Sequence, residues 1–458
     1  KTWLRQRVPV FGWLISPGYN LNDLPDDLIA GITISTVVIP QSMAYAMLAP
    51  LPPVYGLYTS VVPILIYCLF GTSRHMHTGT FAITTLLLGQ AVRGLMAADF
   101  SASNDYSLAS TLLYDSAAPT PIEDPEYENR FIGMILMLSF VVGFLQVILS
   151  FLRVGGWASR HLLPDALVGG FNTAAVFHIG TSQLKHFLGL KNMPSPQGAF
   201  ALLKSWIWIG QNFWEGTNWY TDRPVYIPIP DILLAVIILT VVNVVFSLDT
   251  PRSKGGMGIA VIGSIPKGLP QMAFPANLVS SGPKEWLSLE FLQRMILPMV
   301  QPALLIAVII FVMSFSIAKQ FGKRYGYKVD ANQEMMALGL ASMGGSIFSG
   351  YACTGSLTRT AILAQSGGKT PLASIVGVIT VTLTLVCLTW CFERVPNTVL
   401  AAIVLVALQS LVMQITEPLK LWRLGQRKAS VIWTVTFLGV LVVSVELGIA
   451  IGIAVVLL

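Results

Sequence analysis

Charged residues are scarce in this sequence: Asp, Glu, Lys and Arg together make up only 11% of its 458 residues, whereas hydrophobic residues make up 54%. Soluble domains carry roughly 25% charged residues, so water is not the main solvent of this chain. A membrane-spanning helix needs about 20 apolar residues, and the length therefore allows about twelve to fifteen spans with short loops. The composition predicts a polytopic, all-α membrane protein of the size of a transporter or a channel.

Cysteine and histidine are also rare, with four and five residues respectively. The cysteines lie in or beside apolar runs without metal-ligand spacing, so we interpret Cys68, Cys353, Cys387 and Cys391 as small buried hydrophobic residues. The histidines are scattered, and no set of nucleophile, base and orienting group is evident around them. The sequence therefore predicts no enzyme, no metal site and no cofactor.

The net charge of +6 does not indicate nucleic-acid binding, because the basic residues form short clusters between apolar runs rather than one basic face. Such clusters mark the cytoplasmic side of a membrane protein, and here they are Lys1/Arg5/Arg7, Arg74, Arg153/Arg160, Lys319/Lys323/Arg324/Lys328 and Arg423/Arg427/Lys428. The acidic loop 98–130 marks the opposite side, although loop 249–290 carries basic residues and departs from the pattern. We expect a cytoplasmic N-terminus in a plasma-membrane protein in contact with lipid.

Apolar runs recur along the whole chain and predict about fourteen transmembrane segments. The runs lie near 28–49, 54–70, 80–97, 131–152, 162–180, 198–213, 229–247, 295–318, 332–348, 356–366, 371–391, 397–413, 428–445 and 446–458. They divide as seven plus seven, with the break in loop 249–290. Transporters built from inverted repeats bind substrate between interrupted helices at matching positions, which points to the third and tenth segments.

Both of these segments begin with glycine in an extended polar stretch. The third follows the stretch 77–80 and is apolar from Phe81 to about Val92, whereas the tenth follows 349–355 and covers Ser356–Ser366. The N-terminus of a helix carries about half a positive charge and free N–H groups, so it can bind an anion. We expect two half-helices whose N-termini, near Phe81 and Leu357, face each other.

Arg359 is the only basic residue between Lys328 and Lys369. A charge within the membrane is costly unless it faces a cavity or a partner, so we interpret Arg359 as part of an anion site. The alternative is a structural role such as binding the carbonyls at a helix end.

A further polar pair lies on the first segment, where Gln41 and Tyr45 are four residues apart and share one helix face. The alternative for this pair is that Pro40 kinks the helix and Gln41 binds the carbonyl that the kink frees.

Several motifs in the same order resemble the sulfate permease family, called solute carrier family 26 in animals. They are IPQSMAY at 39–45, LPPVYGLY at 51–58, GTSRH at 71–75, GTFA at 79–82, YKVDANQE at 327–334 and SGGKT at 366–370. The resemblance covers nearly the whole chain.

The resemblance implies a seven-plus-seven inverted repeat with a core at about 28–152 and 295–391 and a gate at about 161–247 and 397–458. It implies an anion site formed by Gln41, Tyr45, Phe81, Ala82, Ser356, Leu357, Thr358 and Arg359. It also implies a homodimer and a cytoplasmic STAS domain after residue 458.

The resemblance implies transport of sulfate, chloride, bicarbonate or oxalate by an elevator-like movement of the core against the gate. Proton-coupled members carry a glutamate in the eighth helix, where this chain has Met313. Without an acid at this position no proton carrier is evident, so anion exchange is favoured over proton symport. An anion channel or a voltage-driven motor remains the alternative, because both would use the same pocket.

Overall fold

The computed structural model describes residues 9–10, 19–102, 125–161, 165–187, 204–207, 232–246, 249, 261–263, 265–266, 268–278, 291–443 and 445–457. The chain forms two compact units. Unit 1 comprises Lys1–Val92, Glu126–Ser159 and Pro266–Thr389, and unit 2 comprises Arg93–Pro125, Arg160–Ile265 and Trp390–Leu458. The predicted run 198–213 and the acidic loop 98–130 lie largely outside the described residues.

Helices dominate the described residues. They are α1 (Leu24–Ala46), α2 (Pro53–Thr59), α3 (Val62–Phe70), α4 (Ala82–Ala102), α5 (Pro125–Phe151), α6 (Val154–His161), α7 (Asp165–Phe187), α8 (Ile232–Val245), α9 (Leu297–Arg324), α10 (Ala331–Ile347), α11 (Leu357–Gln365), α12 (Leu372–Leu383), α13 (Asn397–Val412), α14 (Glu417–Arg423), α15 (Arg427–Leu438) and α16 (Val445–Leu457). Two short strands, β1 (Thr78–Gly79) and β2 (Thr354–Gly355), form an antiparallel pair.

Single turns of 3-10 or π geometry adjoin several of these helices. The 3-10 turns are Leu21–Asp23, Pro275–Leu278, Thr389–Cys391 and Met413–Thr416, and the π turns are Leu292–Ile296, Thr384–Leu388 and Gly439–Val443.

The interior of unit 1 is built around α1. This helix packs against α12, and it also contacts α2 and α11. The approach of α1 to α12 is close because Gly31 has no side chain: a Cβ atom there would lie 2.5 Å from the carbonyl oxygen of Ala373. Elsewhere in the unit α10 packs against α3, and α9 packs against β2. β2, which precedes α11, is therefore supported by a long helix, whereas β1 contacts the shorter helix α3.

Unit 2 has α7 in contact with α13 and with α15. The rings of Trp433 and Phe437 on α15 stack at 5.1 Å, and Phe177 on α7 contacts Phe437 edge to face at 6.1 Å. His178 on α7 lies with its Nε2 atom 3.0 Å from the carbonyl oxygen of Val440. Aromatic packing thus joins α7 to α15 within this unit.

Five helical stretches among the described residues are long and apolar enough to cross a membrane. They are Leu21–Ala46, Pro53–Phe70, Tyr127–Phe151, Leu292–Arg324 and Leu372–Cys391. Large apolar side chains such as Ile29, Phe144 and Leu383 are exposed on their surfaces, as lipid contact requires. Shorter apolar helices occur at Ala82–Ala97, Val236–Val245, Asn397–Val406 and Leu447–Leu457. The total of fourteen segments stays a prediction.

Two features of the segments differ from the sequence-based expectation. The third segment is longer than expected, since α4 has 21 residues and runs to Ala102 rather than ending near Val92. The helix continues because the residues after Arg93 include the good helix formers Leu95, Met96 and Ala97. The expected short helix at this position is therefore corrected.

The run 54–70 forms two helices, because Pro63 in the first turn of α3 has no N–H to continue α2.

The expected short tenth segment is confirmed, since α11 has nine residues, Leu357–Gln365. Its end is set by Gly367, whose φ of +96° lies in the left-handed region. The N–H of Gly368 then donates to the carbonyl of Leu363 at 3.0 Å, which satisfies a carbonyl of the last turn.

Candidate functional site

The antiparallel pair of β1 and β2 is the centre of the candidate site in unit 1. Thr78 lies opposite Gly355, and Gly79 lies opposite Thr354. The pair is extended by a hydrogen bond from the N–H of Ser356 to the carbonyl of His77 at 3.1 Å. Because the strands are antiparallel, the chain leaves the pair in opposite directions on its way into α4 and α11.

The pairing brings together the starts of two helices. β1 ends three residues before α4 begins at Ala82, and β2 ends two residues before α11 begins at Leu357. The first N–H groups of a helix have no acceptor within the helix, and the dipole favours negative charge there. At the start of α11 the N-cap residue Ser356 makes no capping hydrogen bond with its side chain. The geometry offers polarised N–H groups to a small anion from two sides.

The sequence-predicted residues on the first helix lie together with Phe81. Gln41 donates from Nε2 to the hydroxyl of Tyr45 at 2.9 Å, and both side chains are buried. The ring of Tyr45 meets the ring of Phe81 edge to face at 6.4 Å. The Oε1 atom of Gln41 has no hydrogen-bond partner in the described part of the chain. α1 therefore places the amide of Gln41 and the phenol of Tyr45 near Phe81, the residue that precedes α4.

The alternative role for Gln41, binding the carbonyl that the kink at Pro40 frees, is not observed. The amide of Gln41 donates to the hydroxyl of Tyr45 instead. The next residue takes backbone carbonyls instead, since the hydroxyl of Ser42 donates to the carbonyls of Val38 and Ile39.

Arg359 is completely buried, and it is the largest of the fully buried side chains among the described residues. Its guanidinium donates from Nη2 to the backbone carbonyl of Thr80 and from Nη1 to the hydroxyl of Thr80 at 3.4 Å. Its Nε has no hydrogen-bond partner among the described residues. In that part of the chain no carboxylate forms a salt bridge with it. The side chain of Arg359 thus extends from α11 and places a buried positive charge beside Thr80, in the stretch that leads into α4.

Glycine is favoured at position 79 by the backbone. Its φ of +142° is a conformation that residues with a Cβ rarely adopt. The glycine before α4, which the sequence indicated as a helix-start signal, lies beside the guanidinium of Arg359, and a Cβ atom there would be in van der Waals contact with Nη2 at 3.5 Å.

The remaining predicted residues lie around the two helix starts. Ala82 and Ser356 are buried, whereas Leu357 and Thr358 are partly exposed. The structure therefore brings Gln41, Tyr45 and Phe81 together on one side and joins Arg359 to Thr80 on the other.

Sequence reasoning did not single out several polar residues that support the site. Ser314 on α9 bonds to the hydroxyl of Thr354 at 2.9 Å and accepts from the N–H of Gly355 at 2.9 Å, so it holds β2 in place. Thr85 on α4 donates to the hydroxyl of Tyr351 at 3.4 Å. These residues are isolated hydroxyls in apolar runs, and nothing in their local sequence distinguishes them from ordinary buried threonine or serine.

The sequence profile of the sulfate permease family matches residues 24–436. The chain belongs to the sulfate permease family. Among related family members, it is 31% identical to prestin from Danio rerio over 98% of this chain and 58% of that protein. It is 32% identical to human solute carrier family 26 member 6 over 98% of this chain and 56% of that protein. The chain thus spans less than three fifths of the length of these curated relatives.

A solved structure of the family has the same fold. Murine solute carrier 26 family member A9, described as an anion transporter in the inward-facing state, superposes with a TM-score of 0.77 and 26% identity. The match covers 99% of this chain and 71% of that chain. Both the family and the fold are therefore those of membrane transporters.

Proposed function

We propose that this protein transports small anions across a membrane and that the anion binds between the starts of α4 and α11. One observation carries the proposal: the antiparallel pair β1–β2 brings two helix N-termini together beside the buried charge of Arg359. Such a pocket suits sulfate, chloride, bicarbonate or oxalate, because it offers N–H donors and one guanidinium, which forms no salt bridge with a carboxylate among the described residues. Catalysis is not part of the proposal.

Exchange of one anion for another is the mechanism that we favour. Met313, buried on α9 next to Ser314, offers no carboxylate that could carry a proton at this position. Without such a group the movement of an anion is more simply balanced by a second anion. In this account a core of about 28–152 and 295–391 moves in an elevator-like manner relative to a gate of about 161–247 and 397–458.

The assembly and location of the protein are also proposals. Membership of the sulfate permease family supports a homodimer in the plasma membrane with a cytoplasmic N-terminus. A cytoplasmic STAS domain after residue 458 is a proposal that rests on membership of this family alone.

Uptake of labelled sulfate into proteoliposomes tests the exchange mechanism. We expect rapid uptake when the vesicles contain sulfate, chloride or oxalate, and little uptake when they contain only a large impermeant anion. Uptake that needs no trapped anion and follows an imposed membrane potential would contradict exchange and favour a channel.

The alternative of a voltage-driven motor has specific support in the 31% identity to prestin from Danio rerio. Voltage-clamp recording of membrane capacitance distinguishes it from exchange. A motor predicts a voltage-dependent charge movement without net anion flux, whereas the exchanger predicts flux that depends on anions on both sides.

A further inference from the structure

Glu334 lies completely buried in the first turn of α10 and accepts four hydrogen bonds. The hydroxyl of Tyr67 donates to one carboxylate oxygen at 2.7 Å. The other oxygen accepts from the N–H of Thr72 at 2.7 Å, the N–H of Ser73 at 3.0 Å and the hydroxyl of Thr72. One carboxylate therefore holds two consecutive residues that follow the C-terminus of α3.

Asp27 in the first turn of α1 is also completely buried, and its donors are of the same kinds. It accepts from the hydroxyl of Tyr19 at 2.9 Å and from the hydroxyl of Thr370 at 2.6 Å. It also accepts from the N–H groups of Lys369 at 2.8 Å and Thr370 at 3.2 Å. In both clusters the donors are one tyrosine hydroxyl, one threonine hydroxyl and two consecutive backbone N–H groups.

The segments that the two carboxylates hold adjoin the helices of the candidate site. Thr72 and Ser73 begin the extended stretch that passes through β1 and enters α4, whereas Lys369 and Thr370 follow α11 after the turn at Gly367. An ionised carboxylate forms stronger and more directional hydrogen bonds than a neutral acceptor does. Glu334 therefore fixes the chain ten residues before α4 begins, and Asp27 fixes it four residues after α11 ends.

The stretch 72–80 is anchored by side chains along its length. The hydroxyl of Ser73 lies 3.1 Å from the hydroxyl of Tyr327, and the N–H of His77 donates to the hydroxyl of Thr360 at 3.1 Å. The stretch begins at the carboxylate of Glu334 and ends at the guanidinium of Arg359. It is therefore held at its two ends by charged groups of opposite sign.

We propose that Glu334 is a positioning residue for anion binding, which sets the place of the α4 N-terminus by fixing Thr72 and Ser73. This role rests on the proposed function, because Glu334 lies outside the proposed pocket and would act on the affinity of that pocket for anions. Displacement of a helix start by about 1 Å weakens a preorganised site that depends on hydrogen-bond geometry. A structural brace would instead affect folding alone.

Glu334→Gln tests the proposal in proteoliposomes that contain equal amounts of folded protein. The glutamine keeps the size of the side chain, but an NH2 group replaces one of the two accepting oxygens. This NH2 group then faces donors that it cannot accept from. We expect the apparent KM for sulfate to rise roughly tenfold, while the maximal rate changes less than about twofold. Glu334→Asp, which keeps the charge, should restore part of the lost affinity.

Glu417→Gln is the matched control, because it makes the same chemical change at an exposed carboxylate of unit 2. Its KM should equal that of the unchanged protein. Thr72→Val is a milder second variant for the case that Glu334→Gln does not fold. It removes the hydroxyl that donates to Glu334 and accepts from the N–H of Asp330 at 3.3 Å, but it leaves the N–H groups of Thr72 and Ser73 bonded to Glu334. We therefore expect a rise in KM of about threefold.

The outcomes separate the two proposals. If the unchanged protein takes up none of sulfate, chloride, bicarbonate and oxalate, the proposed function is overturned and the positioning role with it; otherwise KM is measured for the anion that it transports. Saturable uptake by the unchanged protein, with the same KM in every folded variant, would overturn the positioning role alone, even if the melting temperatures fall. A rise in KM in Glu334→Gln and Thr72→Val but not in Glu417→Gln supports it.

Discussion

Arg359 on α11 donates hydrogen bonds from its guanidinium to both the backbone carbonyl and the hydroxyl of Thr80, which lies two residues before α4. This contact places a permanent positive charge between the starts of the two helices that flank the pair β1–β2. It also shows that Arg359 binds a backbone carbonyl, so a structural contribution and an electrostatic one are combined in the same side chain.

Replacement of Arg359 by glutamine distinguishes the two contributions when divalent anions are compared with monovalent ones. The amide nitrogen of glutamine takes the place of Nε, so the contact of the Nη atoms with Thr80 is lost for every anion, and the positive charge for a bound anion is lost as well. Binding of sulfate or oxalate should weaken by about 1–3 kcal/mol, which is the range for charge-assisted hydrogen bonds, and binding of chloride should weaken less. Competition of each anion against labelled sulfate uptake measures the difference.

Arg359→Lys is the control, since it keeps the charge and loses the two-pronged geometry. Equal losses for chloride and sulfate in Arg359→Gln would show that the arginine acts through Thr80 alone.

Gly79→Ala should destabilise unit 1. The φ of +142° at Gly79 is unfavourable for alanine, and strain of this kind costs about 1–3 kcal/mol. The melting temperature of the purified protein measures the effect. The matched control is Gly94→Ala on α4, where a Cβ would meet open space, and this change should stabilise the helix by up to about 1 kcal/mol. A fall of the same size in both variants would contradict the role of the backbone at Gly79.

Tyr45→Phe should weaken anion binding through Gln41. The change removes the hydroxyl that accepts from the amide of Gln41 and leaves a buried donor unpaired, which costs about 1–3 kcal/mol. The amide is then free to turn away from its place beside Tyr45, so the KM for sulfate should rise. Tyr58→Phe, the same change at a partly exposed position on α2, serves as the control and should leave KM unchanged. An unchanged KM in Tyr45→Phe would remove this pair from the site.

The two charged clusters around the first turn of α1 should differ sharply in their importance. The ammonium of Lys369 is exposed and lies 2.8 Å from both Asp23 and Asp26, and these hydrogen bonds raise the pKa of Lys369, which therefore stays charged at neutral pH. Solvent screens such surface pairs, so Lys369→Met should change the melting temperature little. Asp27→Asn disrupts a buried carboxylate with four donors and should cost about 3 kcal/mol. Similar thermal shifts in the two variants would contradict this difference.

Local patterns in the sequence were sufficient to predict the starts of the two site helices. Gly79 and Gly355, each within a short polar stretch, indicated helices beginning near Phe81 and Leu357, and the structure begins them at Ala82 and Leu357. The end of α11 at a pair of glycines is equally local. Such features are recoverable because they depend on the conformational freedom of one residue and its neighbours.

Individual hydrogen bonds between distant parts of the chain were not predicted. The contact of Arg359 with Thr80 and the binding of Thr72 by Glu334 join residues more than 250 positions apart. Nothing in a single sequence specifies which buried hydroxyl or N–H a charged side chain will meet after folding. Glu334 was visible only as part of the motif 327–334, and its four donors became evident from the packing of α10 against α3.

Anomalous diffraction from crystals grown in bromide tests the central claim most directly, because bromide is a small anion whose position can be identified by its scattering. The account predicts a bromide peak within hydrogen-bonding distance of the first backbone N–H groups of α4 and α11, beside Tyr45 and Phe81, and loss of that peak in Arg359→Gln. Bromide peaks elsewhere in unit 1, with this position free of bromide at saturating concentration, would contradict it.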